Sequence, residues 1–140
     1  METVTYTVPG KPSGKARPRF NRGTGHVYSP DVGLFQARVA EFGLGAGLRL
    51  VEGPVEVHIK ITRCMPSSWS KKRRASSMGE ATTTKPDGNN VLAGVLDGLT
   101  GVLVVDDKSV WRCSVEKRWG ELDRTVITVG WERNGSHPIW

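Results

Sequence analysis

Residues 84–98, TKPDGNNVLAGVLDG, run from a polar loop straight into a segment with helical spacing. Apolar side chains recur there every three or four residues, as on the buried face of a helix: Val91, Leu92, Val95, Leu96 and Leu99. Asn89 or Asn90 is the predicted N-cap, because a side-chain oxygen there satisfies the unpaired amides of the first turn. The stretch therefore predicts a buried helix that begins beside a loop carrying Asp87.

Strand patterns lie on both sides of this helix. Residues 55–62 alternate valine and isoleucine with polar side chains, the period of a half-buried strand, and residues 3–8 do the same. Runs of β-branched and aromatic residues follow at 103–105, 109–119 and 124–131, and predict about two more strands. Turns are expected at Asp106–Asp107 and at Gly120–Asp123.

The remaining segments predict a second helix and two long loops. Ser29 as N-cap and Pro30 at the first helical position predict a helix that ends in the glycines at 43–47. Residues 9–29 form a loop, with a hairpin around 21–25, and residues 66–83 predict a long surface loop or short helix. The prediction is one α+β domain over residues 1–140, a mixed sheet of about four strands with two helices packed on it.

The charge balance favours a polyanionic partner. The 140 residues include 20 Lys and Arg against 14 Asp and Glu, a formal net charge of +6, and the pI is near 9.7. This favours nucleic acid over an acidic small substrate, without choosing DNA over RNA. No apolar run is long enough to cross a bilayer, and the start METVTYTV lacks the layout of a secretory signal, so the expected compartment is the cytoplasm.

The cysteines and histidines do not indicate a metal site. Cys64 and Cys113 are too few for a disulfide scaffold or a zinc site, and are expected to be half-buried strand residues. The three histidines are scattered, and none is expected to be a catalyst or a ligand: His26, His58 and His137.

Three carboxylates are candidate metal ligands. Asp87 lies in the loop before the helix, and Asp106 and Asp107 are adjacent in the following turn. Each also has an ordinary structural role available, since Asp caps helices and occupies tight turns. Adjacent carboxylates repel, however, so a pair brought near Asp87 needs a cation at neutral pH, and such oxygen ligands suit Mg²⁺ or Mn²⁺. A helix of about three turns permits the two acidic loops to lie side by side.

Two basic segments are candidate contacts to a phosphate backbone. The first is a glycine-rich loop without acids, which favours function over a merely solvated surface. For the second the two interpretations are evenly balanced, because charge runs are commonly solvated faces. The candidates are Lys11, Lys15, Arg17, Arg19 and Arg22 in the first segment and Lys71, Lys72, Arg73 and Arg74 in the second.

The sequence resembles a known family in three blocks: VPGKPSGKARPRF at 8–20, KPDGNNVLAGVLDGLTG at 85–101 and VVDDKSV at 104–110. In their order and separation they are similar to the signature blocks of the RusA-like Holliday junction resolvases, small endodeoxyribonucleases common in phages and prophages. The resemblance implies a homodimeric, magnesium-dependent nuclease of the bacterial host cytoplasm that cuts four-way DNA junctions symmetrically. It implies Asp87 and Asp107 as catalytic acids with Asp106 beside them, and it matches Asn90 to the asparagine of the motif. Lys85 and Asn90 are further candidate DNA contacts.

Two positions depart from the family pattern. Asn89 stands where the motif has its second metal-binding acid, and Ala93 stands where the helix usually offers a catalytic lysine. Asn keeps the shape of Asp without its charge, so it weakens metal binding and activation of water, and Ala93 removes a cation that would stabilise developing phosphate charge. Near-isosteric and alanine replacements suggest a deliberately inactivated nuclease, and a naturally divergent binder is the competing explanation.

A different class of function stays open at this point. In a non-catalytic DNA- or RNA-binding module the acids are turn residues and the basic loops provide the binding. A nucleoid-type structural protein is a third possibility, and it predicts no preference for junctions over linear duplex.

Overall fold

The structure, a computed structural model, describes residues 1–13, 19–20, 27–28 and 32–132. Strands and helices are mixed along the chain, which confirms the α+β prediction. In chain order the elements are β1 (Glu2–Pro9), β2 (Arg19–Phe20), β3 (Val27–Tyr28), α1 (Val32–Gly45), β4 (Val55–Cys64), α2 (Lys71–Ser77), α3 (Gly88–Leu99), a 3-10 helix (Asp107–Ser109), β5 (Val110–Gly120) and β6 (Arg124–Trp131).

Four strands form the main sheet, in the order β1-β6-β4-β5. β6 is antiparallel to both of its neighbours, whereas β4 and β5 are parallel, so the sheet is mixed as predicted. A parallel pair requires a long crossover connection, and here the chain passes through α2 and α3 between the two strands. β2 and β3 form a separate antiparallel ribbon. The hairpin predicted around residues 21–25 lies outside the described residues.

The core lies between the sheet and two helices. α1 contacts β1, α3 contacts β5, and the two helices contact each other. The alternating apolar residues of β4 all point into this layer, as their period predicted. The fully buried side chains include Val8 of β1, Val39 of α1, Val55, Val57 and Ile61 of β4, Val91, Val95 and Leu99 of α3, and Ile127 and Val129 of β6.

The helices approach each other closely at Gly98. A Cβ atom added there would lie 2.8 Å from the carbonyl oxygen of Gln36 and 3.2 Å from Cβ of Val39. Since real Cβ atoms do not approach backbone oxygen that closely, only glycine permits this spacing of α1 and α3. The glycine therefore sets how tightly the helical layer covers the sheet.

The end of α1, helix α2 and the two cysteines were each predicted from local sequence. α1 ends at Gly45, within the predicted glycines, while its predicted cap at Ser29 and Pro30 lies outside the described residues. Residues 71–77 form the short helix that was one of the two expectations for that segment. Cys64 and Cys113 are strand residues with free thiols, but both are exposed rather than half-buried.

The strand predicted at residues 103–105 is absent, and that prediction was wrong. The amides of Leu103 and Val104 both donate to the carbonyl of Leu99, at 2.8 and 3.0 Å, so these residues close the end of α3. Both are buried, which explains their apolar character without a strand. Consequently the Asp106–Asp107 pair does not form a hairpin turn between two strands.

None of the helices in the described part of the chain is long and apolar enough to cross a membrane.

Candidate active site and nucleic-acid interface

Asp87 is the N-cap of α3. Its Oδ1 accepts hydrogen bonds from the backbone amides of Asn89 at 2.8 Å and Asn90 at 3.3 Å. The predicted cap at Asn89 or Asn90 was therefore wrong: the helix begins earlier, at Gly88, and the two asparagines occupy its first turn. Capping engages one carboxylate oxygen of Asp87, and the side chain is exposed.

The start of α3 lies against the middle of β5. A Cβ atom at Gly88 would meet Cγ2 of Val115 at 3.2 Å, so glycine allows the helix start to lie close to the strand. The loop immediately before it is bound to the sheet through its carbonyl groups. Lys117 Nζ donates to the carbonyls of Thr84 and Pro86, and Arg63 Nε donates to the carbonyl of Lys85 at 2.8 Å.

Asp106 and Asp107 lie in the turn that leads into β5. Asp106 caps the 3-10 helix, and its Oδ1 accepts from the Lys108 amide at 2.9 Å. This bond, with a side-chain hydrogen bond from Asp107, lowers the pKa of Asp106. The same shared hydrogen bond, with the negative charge of Asp106 and a smaller effect of Asp97, raises the pKa of Asp107. The pair therefore holds a proton more readily on Asp107 than on Asp106.

The two acidic loops are associated with opposite ends of α3. Asp87 precedes the helix, whereas Asp97, whose charge acts on Asp107, lies near its last turn. Ten residues of helix separate Asp87 from Asp97, a rise of about 15 Å. Among the described residues, no three Asp, Glu, His or Cys side chains are grouped so that they could hold one metal ion. The expected convergence of Asp87 with Asp106 and Asp107 is therefore not seen within a single chain.

The positions that depart from the family pattern lie in the first half of α3. Asn89 is exposed in the first turn, beside the carboxylate of Asp87, and Ala93 is half-buried one turn further on. With a neutral residue at 89, the start of α3 presents one carboxylate to solvent, at the helix end that disfavours cations. Within the part of the chain that the structure describes, no complete set of divalent-metal ligands is formed.

The second basic segment forms helix α2 on the surface. None of its residues is buried, and the helix is capped by Ser70, whose Oγ accepts from the Arg73 amide at 3.2 Å. Lys71 and Lys72 are exposed, and neither forms an ion pair with another described residue. These two lysines can therefore contact a phosphate backbone without first breaking an ion pair.

The other cations of this segment pack locally. The guanidinium of Arg73 lies 3.8 Å from the ring centroid of Trp69, and Arg74 donates to the carbonyl of Pro66 at 3.1 Å. Trp69 also meets Trp119 edge to face, with centroids 5.0 Å apart. Trp69 therefore anchors α2 to the sheet by loop packing rather than lying open for a base to stack on.

The first basic segment is only partly described. Lys11 is exposed just after β1, and Arg19 lies in β2. Lys15, Arg17 and Arg22 lie outside the described residues. Lys85 and Asn90, the two remaining candidate DNA contacts, are both exposed close to Asp87.

Sequence reasoning did not identify the cations that bind the Asp87 loop. Lys117 occupies an inward-facing position of β5, opposite the buried Ile61 in the strand register. The alternation of β5 assigns residue 117 to the inner face of the sheet, where an apolar side chain is expected. A lysine there indicates nearby hydrogen-bond acceptors, because a partly buried cation requires them. Arg63 gave no such signal, since it lies near the end of a strand.

Comparison with known proteins places the chain in a family. Over 137 residues it is 29% identical to an uncharacterised protein, YqaN, of Bacillus subtilis (strain 168), covering 92% of this chain and 96% of the relative. The family model described as endodeoxyribonuclease RusA matches residues 9–130, which include the Asp87 loop, α3 and the Asp106–Asp107 turn. The chain belongs to the RusA endodeoxyribonuclease family.

Proposed function

We propose that this chain binds four-way DNA junctions and that the phosphodiester hydrolysis typical of its family is impaired at positions 89 and 93. Family membership supports branched DNA as the substrate class. The net charge of +6 supports a polyanionic partner. The observation that carries the proposal is the start of α3, where Asp87 and Asn89 present one carboxylate in place of two.

The proposed DNA contacts are exposed cations. Lys71 and Lys72 on α2, with Lys11 and Lys85, are exposed in the described part. Contacts of this kind position the phosphate backbone without reading the base sequence, which suits a ligand defined by its branched shape. Lys15, Arg17 and Arg22 lie outside the described residues and are further proposed DNA contacts.

Divalent metal is part of the proposal for a cleaving form of this chain. At the start of α3 the proposed holding positions are Asp87 and an acid restored at 89, and Mg²⁺ or Mn²⁺ held there would supply charge neutralisation at the scissile phosphate. Asp106 and Asp107 of the same chain are not grouped with Asp87, so they are not counted among these ligands. A lysine restored at 93 would add a cation near the same helix start. In the present chain the neutral Asn89 and Ala93 remove both contributions, which is why binding without efficient cutting is the expected behaviour.

A homodimer suits this function. Two symmetric cuts require two equivalent sites, and an isologous dimer supplies them by a two-fold axis. The proposed setting is the cytoplasm of a bacterial host, with a phage or prophage as the source of the gene.

The test compares four proteins on one synthetic four-way junction and a linear duplex of the same sequence: this chain, Asn89→Asp, Ala93→Lys and the double variant. We expect this chain to prefer the junction equally in EDTA and Mg²⁺, and the double variant to cut it only with Mg²⁺. If the double variant prefers the junction but never cuts, the non-catalytic binding module is the correct class. Equal affinity for junction and duplex would refute junction recognition itself.

A further inference from the structure

Cationic side chains hold each of the three successive carbonyl groups before Asp87. Lys117 Nζ binds those of Thr84 and Pro86 on either side, and Arg63 Nε binds the carbonyl of Lys85 between them. We call Lys117 and Arg63 the carbonyl clamp. Loop carbonyls outside helices and sheets still need donors, and charged donors form stronger hydrogen bonds than neutral ones.

The carbonyl clamp is itself fixed in the sheet. Lys117 lies on β5 between Val115 and Trp119, and its backbone carbonyl also accepts from the Thr82 amide at 3.0 Å. The Arg63 guanidinium donates to Asp123 Oδ1 at 2.7 Å, and the same oxygen accepts from the Cys64 amide at 2.8 Å. Both clamp residues therefore have a defined direction before they contact the loop.

We propose that Lys117 and Arg63 are positioning residues, which fix the direction in which the Asp87 carboxylate points at the start of α3. Asp87 follows directly after the three held carbonyls, so the clamp bonds restrain the peptide group through which the chain enters Asp87. The free oxygen of the carboxylate is therefore oriented by the sheet and not only by the helix it caps. This inference rests on the proposed role of Asp87 in the site.

The position of Lys117 argues against a purely structural explanation. A lysine that only filled space could be replaced by an apolar side chain at this inward position, with a gain from removing a partly buried charge. Lys117 instead donates to two carbonyls that are 33 and 31 residues away in sequence. Such charge-assisted bonds restrain the loop, and a functional side chain needs this kind of support to keep its orientation.

The first experiment measures amide hydrogen exchange in the full chain, in Lys117→Met and in a matched control, Lys60→Met. Lys60 lies on the neighbouring strand and is exposed on the opposite face of the sheet. In Lys117→Met we expect exchange at Asn89, Asn90 and Val91 to accelerate about tenfold, with core amides of β4 and β6 changing less than about twofold. Lys117→Arg, which can donate to both carbonyls, should recover most of the protection.

Two results would overturn the proposal at this stage. The first is that the three amides exchange equally slowly in Lys117→Met and in Lys60→Met. The loop would then not depend on the carbonyl clamp. Acceleration of the same size in the core of β4 and β6 would mean that Lys117 supports the whole fold and has no specific effect on Asp87.

The second experiment uses the Asn89→Asp/Ala93→Lys background and single-turnover cleavage of the four-way junction. Adding Lys117→Met should lower the cleavage rate about tenfold or more at saturating Mg²⁺, because misplacing a reacting group weakens catalysis. The Kd for the junction should stay within about twofold, because the clamp contacts no DNA in this proposal.

An unchanged cleavage rate alongside lost amide protection would refute the positioning role. If the background itself never cuts, the proposed hydrolytic function fails, and the exchange experiment still decides the carbonyl clamp.

Discussion

At the scale of the residue, Asp87 combines a structural role with a proposed functional one, and two substitutions separate them. Asp87→Asn keeps an oxygen acceptor for the amides of Asn89 and Asn90, whereas Asp87→Ala removes it. We expect Asp87→Ala to lower the free energy of unfolding by about 1 kcal/mol, and Asn to lower it by about half as much, through loss of charge at the helix start. Urea unfolding with a constant m-value measures both, and equal losses in the two variants would contradict the capping role.

The same pair of variants isolates the charge of Asp87. In the Asn89→Asp/Ala93→Lys background, Asp87→Asn should abolish Mg²⁺-dependent cleavage although the fold is nearly as stable. Retained cleavage would remove Asp87 from the proposed site.

Asp106 and Asp107 titrate as a linked pair. Because folding raises the pKa of Asp107, its contribution to stability falls as pH rises from the usual Asp pKa through the raised value. Folding lowers the pKa of Asp106, so its contribution is present above the usual Asp pKa and is lost as pH falls through the lowered value. Asp106→Asn should therefore lower the pKa of Asp107 towards the ordinary Asp range, and carbon-detected NMR titration of the carboxyl groups measures this.

The control for that titration is Asp97→Asn. Asp97 acts on Asp107 by charge alone and is the weakest of its perturbing groups, so its removal should lower the Asp107 pKa by less than Asp106→Asn does. A pKa of Asp107 that is unchanged in Asp106→Asn would show that the two carboxyls do not share a hydrogen bond.

At the scale of the element, the crossing of α1 and α3 depends on Gly98. Gly98→Ala places a methyl group 2.8 Å from the Gln36 carbonyl oxygen, and we expect a loss of about 1–3 kcal/mol in the free energy of unfolding. Gly33 of α1 is the matched control, because a Cβ there meets no atom within 4 Å. Gly33→Ala should be neutral or stabilising by up to about 1 kcal/mol. Thermal unfolding compares them, and equal effects would mean that the helices are not in close contact.

Helix α2 provides the test of the basic surface. Since none of its residues is buried, Lys71→Ala/Lys72→Ala should change the free energy of unfolding by less than about 0.5 kcal/mol. Loss of two phosphate contacts should reduce the slope of log affinity against log salt by about 2. Fluorescence anisotropy with a labelled junction at several salt concentrations measures this, with Lys60→Ala as control. An unchanged slope would mean that Lys71 and Lys72 do not contact DNA phosphates.

Across the whole molecule, hydrophobic periodicity predicted those elements that bury one face. The alternation in β4 and the four-residue repeat in α3 each reflect one buried face, so they were found without knowing the partner elements. Leu103 and Val104 misled this reasoning because burial at the end of a helix selects the same side chains as a strand. The bonds from Lys117 to the Asp87 loop join residues far apart in sequence, and no local pattern encodes such contacts.

The proposed homodimer is a prediction about the assembled molecule. Sedimentation equilibrium at micromolar concentration should give about twice the chain mass of 15.3 kDa. Addition of a four-way junction should yield one dimer per junction, as two equivalent sites require. A monomer that binds the junction with full affinity would contradict the two-fold arrangement.

The strand order has a consequence for biosynthesis. Among the described strands β6 comes last in the chain, yet it lies between β1 and β4 and pairs Trp131 with both Glu2 and Val55. While the ribosome is still making residues 124–131, β1 and β4 each lack their shared neighbour and present unpaired backbone edges. The sheet can therefore close only after residues 124–131 have been synthesised.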